Sequence, residues 1–498
     1  MNSQATGSDP EWSAPGAGSS GRGTPEPAGP GRGNPGWGSR ERDNPGRGSR
    51  DRSRLTVVLA LALLVRLVAV LAIDDPHKVP RTLAESDAPT YYVLAEHILD
   101  GTGYRYAADK APTAKRTPGY PLFLAAVFEV FGESFSAVRV IQCLLDVATT
   151  FLVYTLAVLV FGSISVGLVA AFGYAFYLPA ILSSTYIMTE TTYTLFLVLA
   201  VTAAVLAMRL ESYLMHVFAG VAFGVSSLIR PGAFLLPPVL LAICLFLGVV
   251  LPSRYERGVG RVLGERRRRG LRGNLWKGFA VLCLAFGLTL LPWAIRNQRS
   301  LGSFIPTSTL VGANLYKGNH IPTQGAYFWS TDSLLTPEIR ARIAGVSEAQ
   351  QDRILRAEAG KMILSNKTAS LLLALKKIPR LWLNLGYGRA PSIRSIALAA
   401  GHLALIMLAV YCLLIMPSDR LTLSFVPLTT VVFSSLAYLA VASEVRFVFP
   451  LVPLILPYSA FGLLAIGKRL RPVKSTQGQI ISPRHGPNSW ARRHDDVI

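Results

Sequence analysis

The chain of 498 residues is poor in charge and in cysteine. Only 16% of its residues are Asp, Glu, Lys or Arg and 51% are hydrophobic, whereas soluble domains run at about a quarter charged. The four cysteines, Cys143, Cys244, Cys283 and Cys412, all fall inside apolar runs and share no metal-ligand spacing. They read as small buried hydrophobes, so neither a disulfide framework nor a zinc site is indicated. No GxGxxG nucleotide fold, P-loop, GxSxG, HExxH or EF-hand loop is present, which leaves a soluble-type ATPase, serine hydrolase or zincin unsupported. Acidic residues are scarce, 29 against 50 Lys and Arg, for a formal net charge of +21. Such an excess can mark nucleic-acid binding. Here the basic residues gather in a few segments between or outside apolar runs, as the positive-inside rule requires, and no nucleic-acid partner is expected.

What is abundant is the long apolar run. Such runs fall at 55–73, 138–160, 163–181, 187–208, 214–229, 233–251, 277–295, 394–416, 422–441 and 447–466. A stretch of this kind crosses the hydrocarbon core as a helix with all its backbone groups satisfied. The expected fold is an all-α polytopic membrane protein of about ten spans, with the lipid bilayer as its first partner. Residues 1–54 are rich in Gly, Pro, Ser and Arg and carry a near-repeat, NPGWGSRER followed by NPGRGSRDR; with so little to bury they are expected to be disordered. Residues 55–466 form the membrane domain and 467–498 a second basic tail.

One apolar stretch, PLFLAAVFEVF at 121–131, is too short to span and is expected as an interfacial or re-entrant helix. Parity supports that choice. With it kept outside, Arg209, the basic loop 252–276, Asp419-Arg420 and the tail KRLRPVK all face the cytoplasm, as do both termini. The arginine cluster then has a topogenic role, with contact to anionic lipid as its consequence. Two long segments, 74–137 and 296–393, stand outside the plasma membrane. The second contains SEAQQDRILRAEAGKMIL, a capped surface helix beginning after Ser347.

The same alternation puts Glu85 and Asp87, Arg116, Glu190, Arg230, Arg296 and the pair Glu444 and Arg446 near one face, which implies a charged cavity at the outer membrane boundary. Each residue also has a plainer reading. Arg230 and Arg446 sit at span ends, where charges often act as interface anchors. Asp87 lies in a polar segment and by itself reads as a solvated loop acid. Glu190, about a turn inside an apolar run, suits a structural ion pair as well as an active site, since an unpaired charge there is costly. RTPGYP forms a rigid turn into the short helix, LPWAIRN ends a span, and VGANLYKGN reads as a Gly/Asn-rich turn region.

Taken in order, ESDAPTYYVLAEHILDG (85–101), RTPGYPLF (116–123), YIMTETTY (186–193), IRPGAFLLP (229–237), LPWAIRN (291–297), GANLYKGN and SEVRFVFPLVP (443–453) resemble the bacterial glycosyltransferases of the GT-C superfamily. Within it the likeness is to the protein O-mannosyltransferase and aminoarabinose transferase-like group, over residues 55–466. The resemblance implies a GT-C-type helix bundle, an extracytoplasmic site and a sugar donor carried on polyprenyl phosphate. The acceptor would be a hydroxyl on an envelope glycan, lipid or protein, with inversion at the transferred carbon. It implies Asp87 as the catalytic carboxylate, with Glu85 as its structural partner. Arg116, Arg296 and Arg446 fall to the donor phosphate, and Tyr91, Tyr120, Glu190, Arg230, Asn297 and Glu444 line the site. The chain departs from the pattern in separating its two loop acids by a serine, which keeps both as candidates. No metal set is indicated, and a divalent cation is left open. The competing class is a lipid or glycan transporter, in which Glu190 and Arg230 line a path; against it stand the gathering of charge on one face and the lack of an inverted repeat. A non-catalytic envelope assembly protein is the plainest alternative.

Overall fold

The computed structural model describes residues 45–72, 87–250, 275–323, 332–383, 392–441 and 444–470. Glu85, most of the arginine-rich loop and nearly all of both tails lie outside the described residues. Within them every regular element is helical. Each of the ten apolar runs is helix: α1 (Pro45–Leu71), α4 (Phe135–Phe161), the pair α5 (Ile164–Ala175) and α6 (Leu178–Thr185), α7 (Glu190–Leu210), α8 (Tyr213–Ile229), α9 (Leu236–Val250), α10 (Leu275–Leu301), α15 (Ile393–Ile415), α16 (Ser418–Ala440) and α17 (Val452–Leu470). Among the described residues seven helices are long and apolar enough to cross a bilayer, and eight spans result if the bent pair α5 and α6 counts as one. The other two, α8 and α9, are apolar but shorter, at 17 and 15 residues.

Helix α1 begins ahead of its apolar run, inside the stretch expected to be disordered. Once the apolar turns nucleate a helix, each further residue is added cheaply. The added turns carry local bonds of their own, Arg54 to Asp51 at 3.3 Å and the Thr56 hydroxyl to the Arg52 carbonyl at 3.1 Å.

The bend between α5 and α6, 52°, frees backbone carbonyls at a depth where the hydrocarbon offers no water. Polar side chains from α1 and α4 meet them. Arg66, fully buried, donates to the carbonyls of Ala62 and Ala175 at 2.9 and 3.0 Å and pairs with Asp146 at 2.6 Å. Asp146 also accepts from the Tyr174 hydroxyl at 2.6 Å. On the same face of α4, Arg139 donates to the Thr185 carbonyl at 3.0 Å, and the Gln142 amide to those of Ser184 and Tyr186 at 3.0 and 2.8 Å. Side chains thus meet carbonyls both at the α5–α6 bend and at the end of α6, and after the non-helical residues 186–189 Glu190 is the first residue of α7. Sequence reading had placed Glu190 a turn inside its span; the non-helical residues just before it move it to the helix start.

The short helix α3 (Gly119–Phe131) follows α2 (Ala88–Leu99). At about 1.5 Å per residue the 13 residues of α3 reach roughly 20 Å, against a core of about 30 Å. It stays beside α2: Tyr91 packs on Tyr120 at 5.2 Å between ring centroids and Tyr92 on Phe128 at 6.1 Å, with Phe135 of α4 at 5.5 Å from Tyr92. Helix α3 is one of the apolar helices too short for the spanning length. Gly119 admits the close approach of α3 to the end of α8, where a Cβ would stand 2.8 Å from the Leu228 carbonyl oxygen.

At the same end of the bundle sits a cap layer of α11 (Val311–Asn319), α12 (Pro337–Ile343), α13 (Glu348–Ser365) and α14 (Lys367–Leu383). Helix α13 begins with a full capping box of Ser347 and Gln350, as its sequence suggests, and packs Leu355 and Ala359 against Ala313 and Tyr316 of α11. The segment VGANLYKGN, read from sequence as a turn, is helix α11. Its first turn is held by Asp352 of α13, which accepts from the Gly312 amide at 2.5 Å, and Gly312 is so close to α13 that a Cβ would meet the Asp352 carbonyl oxygen at 2.1 Å. Tertiary packing overrides the low helix propensity of Gly and Asn. At the opposite end of the bundle, Arg209 and Arg420 donate to the neighbouring carbonyls of Leu159 and Val160 at 3.0 and 3.3 Å, so two of the four basic features expected on one side do share an end.

Candidate active site

Where the cap layer meets the bundle, charges from five separate segments converge. Asp87, buried at the start of α2, is ion-paired with Arg116 from RTPGYP, and Arg446 approaches its other oxygen at 3.8 Å. Glu190 pairs with Arg230, at the end of α8, at 3.2 Å and lies 4.0 Å from Arg446. Arg446 also bonds Glu444. Arg446 is thus shared among three carboxylates. Rings keep the cations in place: Arg116 lies over Tyr91 at 5.5 Å, while Phe447 has Arg230 at 4.8 Å and Arg446 at 5.7 Å, a cation–π arrangement that favours guanidinium over aromatic faces.

Two features make this more than a structural ion-pair network. Glu190 is 5% exposed, yet only one of its oxygens is engaged: no hydrogen bond among the described residues reaches Oε2. A buried carboxylate oxygen without a donor is costly, and it offers an acceptor to an incoming hydroxyl. The second feature is Lys317, near the end of α11, 6% exposed and within electrostatic reach of Arg116, Asp87 and Glu444. Burial is the main cause of its lowered pKa, followed by repulsion from Arg116. Counting the residues just named, Arg116, Arg230, Lys317 and Arg446 set four cations against the three carboxylates Asp87, Glu190 and Glu444. The cluster therefore has an excess of positive charge, which suits an anion.

Tyrosines complete the wall. Tyr91 is buried and its hydroxyl is pushed well up from its ordinary pKa by burial, so it stays a neutral donor. Tyr106 is raised to about 12, again mainly by burial, and hydrogen-bonds Arg116. Tyr120 packs on Tyr91, and its hydroxyl donates to the Gln142 side-chain oxygen at 2.8 Å.

Arg296 and Asn297, which the resemblance assigned to the site, belong to a neighbouring network. Arg296 donates to the carbonyls of Thr113 and Tyr104 at 2.8 and 2.9 Å and lies over Trp293 at 4.9 Å. Asn297 donates to the Ile305 carbonyl at 2.8 Å. Both tie down the loops beside Arg116. Lys317, Tyr106 and Glu348 were not singled out in the sequence. Lys317 lay in a segment read as a turn, and Glu348 showed only as the acid after a helix cap. Among the described residues no three His, Cys, Asp or Glu side chains gather into a metal-holding group, and each carboxylate here faces an arginine.

Comparison with known proteins bears on the same region. A model of the family described as dolichyl-phosphate-mannose-protein mannosyltransferase matches residues 115–255, a stretch that runs from KRTPGYP through Glu190 and Arg230. The motif-based resemblance to a GT-C glycosyltransferase is met there by an independent match. No curated protein matches the chain significantly. Among solved structures, ArnT from Cupriavidus metallidurans bound to undecaprenyl phosphate aligns over 84% of this chain and 81% of its own at 15% identity and a TM-score of 0.34. The apo form aligns over 84% and 80% at 15% identity and a TM-score of 0.36.

Proposed function

We propose that this multi-pass membrane protein transfers a sugar from a polyprenyl-phosphate carrier to a hydroxyl outside the plasma membrane, with both termini in the cytoplasm. The observation that carries this reading is the site's composition: a carboxylate, Asp87, held between Arg116 and Arg446, inside a cluster whose cations outnumber its acids. Transfer with inversion requires a base for the acceptor hydroxyl and cations for the departing phosphate. Asp87 takes the hydroxyl proton as the oxygen attacks the sugar's anomeric carbon, and the bond from that carbon to the phosphate oxygen breaks. Arg116, Arg446 and Lys317 receive the phosphate left on the lipid; arginine suits its oxygens through paired N–H donors. The free oxygen of Glu190 accepts from a sugar hydroxyl, and Arg230 holds that carboxylate in place. Glu85, two residues ahead of Asp87, is the structural partner of the base. Arg296 and Asn297 act on the site through the loops they hold. The mechanism as drawn uses no metal ion. The acceptor is an envelope glycan, lipid or protein.

The test is turnover of a polyprenyl-phosphate-linked sugar by the full-length chain in vesicles. Asp87→Asn is expected to keep donor binding and lose transfer by about 10²–10⁴-fold, the usual scale of general-base catalysis. Glu85→Gln is expected to stay within about tenfold of the parent, below that scale. Unchanged transfer in Asp87→Asn would remove the proposed base.

A further inference from the structure

Arg116 does not reach Asp87 from a regular element. It stands in an irregular segment, 113–118, and its position is fixed from outside by hydrogen bonds that cross from the cap layer. Glu348, the first residue of α13, takes two of them on one carboxylate. Its Oε1 accepts from the Ala114 amide at 2.8 Å and from the Thr309 hydroxyl, and its Oε2 accepts from the Thr113 hydroxyl at 2.8 Å. Beside it Thr309 donates its amide to the Ala114 carbonyl at 3.1 Å, and Ser308 its hydroxyl to the Lys115 carbonyl at 2.6 Å. Arg296 holds the Thr113 carbonyl, and the Tyr104 hydroxyl donates to the carbonyls of Arg116 and Thr117 at 3.2 and 3.0 Å.

We propose that Glu348 is a positioning residue for Arg116, so that the cap layer sets the geometry of the phosphate-binding side of the site. The carboxylate accepts from two donors on one short stretch of chain, Thr113 and Ala114, both within three residues of Arg116, and its third donor, Thr309, itself bonds the Ala114 carbonyl. The same helix holds α11 through Asp352 and the Gly312 amide. Helix α13 therefore brackets the two cations that arrive from outside the bundle, Arg116 through its first turn and Lys317 through α11. The remaining cations, Arg230 and Arg446, come from the ends of bundle segments and do not depend on it. This assignment of Glu348 rests on the proposed reading of Arg116 as a phosphate ligand.

The experiment combines kinetics with amide exchange on the full-length protein. Glu348→Ala removes all three acceptors; Glu348→Gln keeps an acceptor oxygen for Ala114 and Thr309 and offers its amide to Thr113, whose hydroxyl also accepts. Glu348→Ala is expected to raise the KM for the polyprenyl-phosphate sugar about tenfold with little change in kcat, and Glu348→Gln to stay within about threefold of the parent, on the scale of one charged hydrogen bond lost. In an Arg116→Ala background the Glu348→Ala effect is expected to fall below about twofold, since residues acting through one another are not additive. Hydrogen exchange over 113–117 is expected to quicken in Glu348→Ala alone. An equal loss in both backgrounds, or a Glu348→Ala enzyme with the parental KM, overturns the positioning role. If the parent turns over no such donor, the functional reading fails by itself, and unchanged exchange at 113–117 then overturns the bracket as well.

Discussion

Asp87 and Lys317 make complementary demands on the reaction medium. Asp87 must be ionised to accept a proton, and it stands between Arg116 and Arg446. Lys317 must be protonated to meet a phosphate, and burial, its largest influence, favours the neutral amine. Its folded pKa lies below the ordinary lysine value, so the cation is present below that lowered pKa and lost as pH rises through it. The KM for donor is therefore expected to climb at alkaline pH below the usual lysine range, and Lys317→Arg to abolish that climb, because arginine keeps its charge. A donor KM measured against pH for the two proteins checks this; identical profiles would remove Lys317 from the phosphate site. Lys317→Ala is expected to raise the donor KM about tenfold at neutral pH, the scale of a charged hydrogen bond, with kcat less affected.

At the scale of elements, the bend between α5 and α6 shows how the bundle tolerates charge. Arg66 and Asp146 are both almost wholly buried and bonded, so removing one leaves the other without its partner. Arg66→Leu is expected to destabilise by roughly 3–5 kcal/mol, whereas Arg66→Leu with Asp146→Leu costs less, as read from thermal unfolding in detergent. Equal losses would show that the pair does not hold the break. The Arg66 and Asp146 signal was available in the sequence, as charges inside apolar runs, but a reading by window hydropathy averages over them. Helix α11 was misread for a different reason: its Gly and Asn carry turn propensity, and only contact with α13 makes it helical. Helix α13 itself was legible because its start is local, set by Ser347 and Gln350.

For the molecule as a whole, seven charged residues spread from Asp87 to Arg446 were expected on one face from the alternation of spans, and the structure brings six of them, all but Arg296, within ion-pair reach in one place. That was legible because a span count with charge bias fixes which loop ends share a side. Distances within that side were not. Arg296 and Asn297 occupy the same layer as the site yet turn to backbone carbonyls, a choice settled by the fold of 104–113 and 305–309. The side of the membrane can be read by labelling: a single cysteine replacing the exposed Glu133 is expected to react with an impermeant reagent added outside cells, and protection there with reaction from the cytoplasm would invert the topology. The central claim, that the charge cluster is where a lipid-linked phosphate binds, is met most directly by photocross-linking. A polyprenyl phosphate with a reactive group next to its phosphate, applied to the full-length protein in membranes, is expected to label 87–91, 113–120, 316–319 and 444–447, and to lose that labelling in Arg116→Ala with Arg446→Ala. Labelling confined to the opposite end of the bundle, near Arg209 and Arg420, or labelling unaffected by the double substitution, would contradict it.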